Sequence, residues 1–226
     1  MSSTPTKRTI IVATGNPGKM REFAEVLAGL PVELKSLKDL PAIPEPEEDG
    51  KTFADNARAK AMYYAKATGQ WCMADDSGLE VDALGGEPGV YSARYAADQC
   101  PPDSPRKVID QANNRKLLAK LAGVPDEQRT ARFVCHLALS NGRRILIETF
   151  DTIEGRIGYE PRGQNGFGYD PLFNLPELGK TTAQLPSDQK NAISHRGKAA
   201  RFFASLLRSV LTSRTDHPEE DVGDED

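Results

Sequence analysis

This sequence predicts an α/β domain built on a mixed β-sheet, and three observations carry the prediction. Near the start, short apolar runs rich in β-formers alternate with helix starts, the pattern of strands that pair in parallel. Further on, two β-rich segments flank Asn141-Gly142, a strong hairpin signal that adds antiparallel strands. The length of 226 residues suits one large domain or two tightly joined lobes, with enough material for a core.

Residues 1–8 read as a disordered lead, rich in Ser, Thr and Pro. Thr9–Thr14 is an apolar, β-rich run and reads as a buried first strand. Asn16-Pro17 is a helix start, an N-cap residue followed by proline at the first helical position. Met20, Phe23, Leu27 and Leu30 continue at helical spacing, and Val32–Leu37 reads as a second strand. After a Pro- and Glu-rich loop at Asp39–Gly50, a helix spans Thr52–Thr68 and ends at Gly69. Trp71–Ala74 reads as a strand that stops at Asp75 and Asp76, and Glu80–Ala83 continues extended. A glycine-rich turn at Gly85–Gly89 precedes a helix over Val108–Leu121. The hairpin strands are Arg132–Ser140 and Arg143–Thr149. A long glycine-rich loop covers Pro161–Asp170. Ser194 caps a last helix with Phe203, Leu206, Leu207 and Val210 on one face. The main domain is residues 9–213, and 214–226 form a disordered acidic tail.

The net charge of −4 hides an asymmetry. Seven acids lie in the last eleven residues, and without them 29 basic side chains face 26 acidic ones, a net +3. A mildly basic folded part suits small anionic ligands. It falls short of the clustered positive face that duplex DNA binding needs, so no nucleic-acid partner is expected. Cys72, Cys100 and Cys135 are odd in number and widely spaced, which fits small buried hydrophobes in a reducing compartment. No apolar run approaches membrane-spanning length and residues 1–9 lack a signal-peptide core, so no membrane partner is expected and a cytoplasmic location follows by default.

Several segments carry chemistry. Thr14, Gly15, Asn16, Pro17, Gly18 and Lys19 join a strand to a helix start, where free N–H groups and partial positive charge bind phosphate and Lys19 adds a full charge. The spacing is not that of a Walker A loop: two residues separate Gly15 from Gly18, and Met20 follows the lysine. An ordinary strand–helix turn competes with the phosphate-loop reading. Asp75-Asp76-Ser77 falls at the expected strand end, where open α/β sheets place ligands. Two acids there suit a hard divalent ion such as Mg²⁺, with Glu47 and Glu48 of the preceding loop to complete the site; a self-bonded Asp/Ser turn is the competing reading. Lys60 taken alone reads as a solvated surface lysine. Phe167, Gly168, Tyr169 and Asp170 set two aromatics in a glycine-rich loop, where rings either stack on a base or anchor to the core. His195 and Arg196 open the last helix, and positive charge there opposes the helix dipole, which favours an electron-rich partner.

TGNPGK after the first strand, ADDSGLEVDALGGEPGVYSARYA in the middle, GFGYDPLF later and ISHRGKA before the last helix together resemble the inosine/xanthosine triphosphate pyrophosphatase family, in order from about Thr9 to about Leu211. The resemblance implies an elongated fold of two lobes around a mixed sheet, an active cleft between them, and a homodimer. It implies hydrolysis of non-canonical purine triphosphates (ITP, dITP and XTP) to the monophosphate and pyrophosphate, with Mg²⁺. It makes Thr14 to Lys19 the phosphate-binding loop, Asp76 the proton acceptor and a metal ligand, and Glu47 or Glu48 the second acidic ligand. Ser77 becomes a substrate contact and Lys60 a lysine near the phosphates. Phe167 to Asp170, Lys190, His195 and Arg196 become the pocket for base and sugar. Two other functions compete: a pyrophosphatase for other modified nucleotides, and a non-catalytic nucleotide sensor.

Overall fold

The computed structural model describes residues 7–215, the side chains of 213–215 excepted. Most of the lead and of the acidic tail therefore lies outside the described residues; Arg8 already belongs to the first strand, and the last helix reaches Thr215.

Among the described residues, seven strands form one mixed sheet: β1 (Arg8–Val12), β2 (Val32–Ser36), β3 (Trp71–Val81), β4 (Thr130–Ser140), β5 (Ile145–Ile157), β6 (Phe173–Leu175) and β7 (Lys180–Thr181). Their order is β2-β1-β3-β4-β5-β6-β7. The β2-β1-β3 part is parallel and the rest antiparallel, as the early alternation and the later hairpin predict. The Asn141 side chain accepts hydrogen bonds from the Arg143 and Arg144 N–H groups, and Gly142 takes φ 89°. The hairpin turn thus spans Asn141–Arg144, and β5 starts two residues later and runs eight residues further than the sequence pattern indicates.

Helices cover both faces. α1 (Pro17–Val26) and α5 (His195–Thr215) pack on one, where Phe23, Leu27, Phe203 and Leu207 meet Ile10, Val12, Met73 and Leu137. α2 (Phe53–Thr68) covers the other, with Ala57, Ala61 and Tyr64 against Ile11, Cys72 and Ala74. β1 is buried on both sides, so its run is continuously apolar rather than alternating. Helix ends follow the expected chemistry: Thr52 and Asp55 form a capping box on α2, Gly69 closes it in the left-handed conformation, and the Ser194 hydroxyl accepts from the Gly197 N–H.

A further core lies along the same sheet. β3, β4 and β5 hold 11, 11 and 13 residues, twice the usual strand length. Their far ends carry Leu79, Val81, Ala131, Phe133 and Ile157 into a cluster with α3 (Arg106–Lys120) and β6. The short helix α4 (Ser187–Ile193) and the strands β6 and β7 were not legible in the sequence, because each is too short to show a period. No helix among the described residues is long and apolar enough to cross a membrane.

Candidate active site

The strand β3 does not stop at the acids. It runs through them, with Asp75 opposite Leu137 and Asp76 opposite His136 on β4. This corrects the expected turn. The apolar run ends at Ala74, but both carboxylates find partners that let the strand continue. What ends is β1: Val12 pairs with Met73, and beyond that point the edge of β3 leaves β1 and is met further on by Ser92 and Glu87 instead. Successive side chains of a strand point to opposite faces, so the adjacent acids diverge. Asp75 enters the α1/α5 layer and Asp76 the α2 layer, and both line one cavity of about 780 Å³.

Asp75 is 3% exposed and saturated with positive charge. Lys19 Nζ lies 2.7 Å from its Oδ2 and Arg196 Nε 3.5 Å away. The Ser77 hydroxyl donates to the same oxygen at 2.8 Å. Burial alone raises the pKa of a carboxyl group, but Lys19 and Arg196 overcome burial and hold Asp75 far below the usual carboxylate range. Arg196 is itself buried and donates to Glu22 at 3.1 Å and to the Ser77 hydroxyl at 3.2 Å. Lys19 is therefore ion-paired rather than free. The expected free N–H groups at the helix start are also mostly taken: Asn16 Oδ1 accepts from the Gly18 N–H at 2.8 Å and the Lys19 N–H at 3.4 Å, and Thr14 Oγ1 accepts from the Asn16 N–H. Gly15 keeps a main-chain donor with no intramolecular acceptor among the described residues.

Asp76 sits in a different field. Asn56 on α2 donates to its Oδ2 at 2.9 Å and, through its own carbonyl, accepts from the Gly50 N–H at 2.9 Å. Burial pushes the Asp76 pKa up to about 6, helped by the nearby Glu48 and Asp75 carboxylates. Lys60 lines the cavity and pairs with Glu48, so it is not a solvated surface residue. Burial opposes the charge on each, but the pairing prevails: Glu48 is lowered and Lys60 raised. Arg94 adds a contact to Glu48 at 3.4 Å. Glu48 faces the cavity and Glu47 is exposed outside its lining. Among the described residues, no group of three or more His, Cys, Asp or Glu side chains converges as a ready metal cage.

The glycine-rich loop forms the opposite wall. Phe167 is 38% exposed and lies beside Lys190 Nζ and the Arg196 guanidinium, 5.1 and 5.7 Å from its ring centre. Tyr169 is turned inward: its ring is buried and its hydroxyl donates to the Ser92 carbonyl at 2.9 Å. It anchors the loop and offers no stacking face. Asp170 is also an anchor, since its carboxylate accepts from the Phe167 N–H at 2.8 Å, from Thr182 at 2.8 Å and from Lys190 at 2.5 Å. His195 is buried and stacked on Phe133, and burial and the neighbouring cations hold it neutral, well below its usual pKa. Sequence reasoning missed Asn56, Glu22 and Arg94. The one hint for Asn56 is a poor helix former inside the first turns of a helix.

A cavity of this volume suits a nucleotide-sized ligand, and known proteins agree. The profile of the Ham1 family matches residues 10–206. A protein from Geobacter sulfurreducens named dITP/XTP pyrophosphatase is 53% identical over 200 residues, which cover 88% of this chain and 96% of that protein. One of the same name from Bacillus subtilis is 48% identical, covering 88% and 96%. Among solved structures, the Ham1 protein of Staphylococcus aureus is 40% identical with a TM-score of 0.78, covering 90% of this chain and all of that one. On its fold, its site and these matches, this chain belongs to the Ham1 family.

Proposed function

We propose that this chain hydrolyses non-canonical purine nucleoside triphosphates (ITP, dITP and XTP) to the nucleoside monophosphate and pyrophosphate. The observation that carries the proposal is the divergence of Asp75 and Asp76 on β3. One acid organises cations in one helix layer. The other stands buried in the opposite layer with its proton affinity raised to about 6, where a general base for neutral pH belongs. The names of the relatives from Geobacter sulfurreducens and Bacillus subtilis support the substrate class.

In the reaction, water attacks the α-phosphorus, a new P–O bond forms, and the bond from that phosphorus to the bridging oxygen breaks. Asp76 takes the proton of the attacking water, and the bridging electron pair leaves with pyrophosphate. The Gly15 N–H lies in the cavity to meet the phosphates, and Lys60 and Lys19, each paired with a carboxylate there, keep further ammonium N–H donors for them. Electrostatic positioning supplies most of the rate, as in phosphoryl transfer generally. Arg196 lines the cavity and spends two donors on Glu22 and Ser77, so a guanidinium with five N–H groups has others for an oxygen at purine C6. Adenine presents an amine there. Guanine shares the oxygen, so its exclusion requires a contact to the 2-amino group.

Mg²⁺ is the cofactor in this proposal. Glu48 and Asp76 would hold it: Asp76 is buried with Glu48 and Asp75 nearby, Lys60 does not outweigh that burial, and Mg²⁺ takes one or two carboxylates with substrate phosphates completing its shell. When bound, the ion offsets charge on the triphosphate and on the departing pyrophosphate. A homodimer and a cytoplasmic setting complete the proposal, the first supported by the family resemblance and the second by a substrate drawn from the free nucleotide pool.

The decisive experiment measures pyrophosphate release from dITP, ITP, XTP, ATP and GTP, with and without Mg²⁺. Release from the first three in the presence of Mg²⁺ is expected. Equal turnover of ATP overturns the base preference, and binding without release identifies a sensor instead. The pH dependence of kcat/KM follows from Asp76. The protonated carboxyl cannot accept a proton, so kcat/KM rises with pH and levels off above about 6 at limiting Mg²⁺. Saturating Mg²⁺ favours the carboxylate and moves the limb to lower pH. A limb that ignores Mg²⁺ would place the titrating group elsewhere.

A further inference from the structure

We propose that Asp110 and Asn114 are positioning residues for the base: together they grip Gly168 and so fix Phe167, a half-exposed ring in the cavity lining on which a purine can stack, an inference that rests on the nucleotide substrate proposed above. Within the loop, Asp170 holds the Phe167 N–H at 2.8 Å, but the next residue, Gly168, is held from outside it. Gly163, Gly166 and Gly168 take φ of 87°, 76° and 61°, and glycine loses more freedom on ordering than any other residue. The Phe167 ring is too exposed to be held by packing on a core. Its place is set by main-chain anchors.

Two of those anchors come from α3, more than fifty residues away in sequence. The Gly168 N–H donates to Asp110 Oδ2 at 3.0 Å. The Gly168 carbonyl accepts from Asn114 Nδ2, also at 3.0 Å. Residues four apart on a helix lie one above the other, so the two side chains grip one residue's donor and acceptor from a single helix face. Both are buried. Asn113, on the neighbouring face, does a separate job: it accepts from the Ala96 N–H and donates to the Ser92 carbonyl. The second oxygen of Asp110 pairs with Arg106 Nε at 2.9 Å, and Arg106 lines the nucleotide cavity. The clamp therefore ties a cation at the cavity wall to the loop that presents Phe167. Neither Asp110 nor Asn114 belongs to a motif singled out in the sequence; both sit in the helical run Arg106–Lys120.

The test compares dITP with inorganic tripolyphosphate, which has phosphates and no base. Asn114→Leu keeps the side-chain size and removes the donor; Asp110→Ala removes the acceptor, and Asp110→Asn keeps one. The first two are expected to raise the KM for dITP about fivefold each, the worth of one hydrogen bond. Inhibition by tripolyphosphate should stay within about twofold, and Asp110→Asn should stay near wild type. An unchanged KM, or equal weakening of dITP and tripolyphosphate, overturns the proposal, the second outcome marking a general structural role. Should Asp110→Ala fail to fold, Asn114→Leu carries the test. Phe167→Ala separates this proposal from the function it rests on. If it raises the dITP KM while the clamp variants do not, only the clamp fails; if it too changes nothing, the stacking role fails.

Discussion

Asp76→Asn is expected to lower kcat for dITP by about 10²–10⁴-fold, the usual worth of a positioned general base, with little change in KM. The amide matches the carboxylate in size and keeps an oxygen for the hydrogen bond from Asn56, so the strand and the cavity stay in place. What it lacks is a site for the proton of the attacking water. The Mg²⁺ concentration for half-activation should rise in the same variant, since one of two proposed ligand charges is gone. Steady-state kinetics with an Mg²⁺ titration checks both effects. Near-normal turnover removes Asp76 from the chemistry and leaves Glu48 as the next acid in the cavity to examine.

Asp75→Asn should act on the other side of the sheet and through stability first. Its charge holds Lys19 at 2.7 Å and lies 3.5 Å from the buried Arg196. Removing one partner of a buried ionic group strands the others, which costs about 3–5 kcal/mol. For a chain of this size the melting temperature should fall by about 10 °C. The pH dependence has a definite sign. The folded-state pKa of Asp75 is depressed, so its contribution is present above the ordinary aspartate value and is lost as pH falls through the folded pKa. The gap between wild type and variant should be full at neutral pH and shrink below about pH 4. Thermal unfolding at several pH values measures it. A variant that melts within about 2 °C of wild type at neutral pH would mean that solvent screens the triad.

Much of this protein was legible in its sequence. The mixed sheet followed from alternating early elements and a later hairpin. The caps at Asn16, Gly69 and Ser194 were readable because capping acts within four residues of chain. The segments that line the cavity were also readable, since phosphate loops, paired acids and basic helix starts announce their chemistry through residue type. Their roles were not. The same local pattern that marked Asp75 and Asp76 as one acidic turn hid the strand that separates them. Glu48 rather than Glu47 faces the cavity, Tyr169 turns inward while Phe167 faces out, and Lys19 spends its charge on Asp75.

Each of these outcomes depends on a partner distant in the chain. Ser77 meets Arg196 across 119 residues, Glu22 meets Arg196 across 174, and Gly168 meets α3 across more than fifty. The sequence by itself determined which elements form and which residue types reach the cavity, because those depend on local backbone preference and hydrophobic period. Only the tertiary structure decided which acid is neutralised, which is left eager for a proton, and which ring is free to meet a base. Burial and charge pairing set those properties, and neither exists until the distant segments pack together.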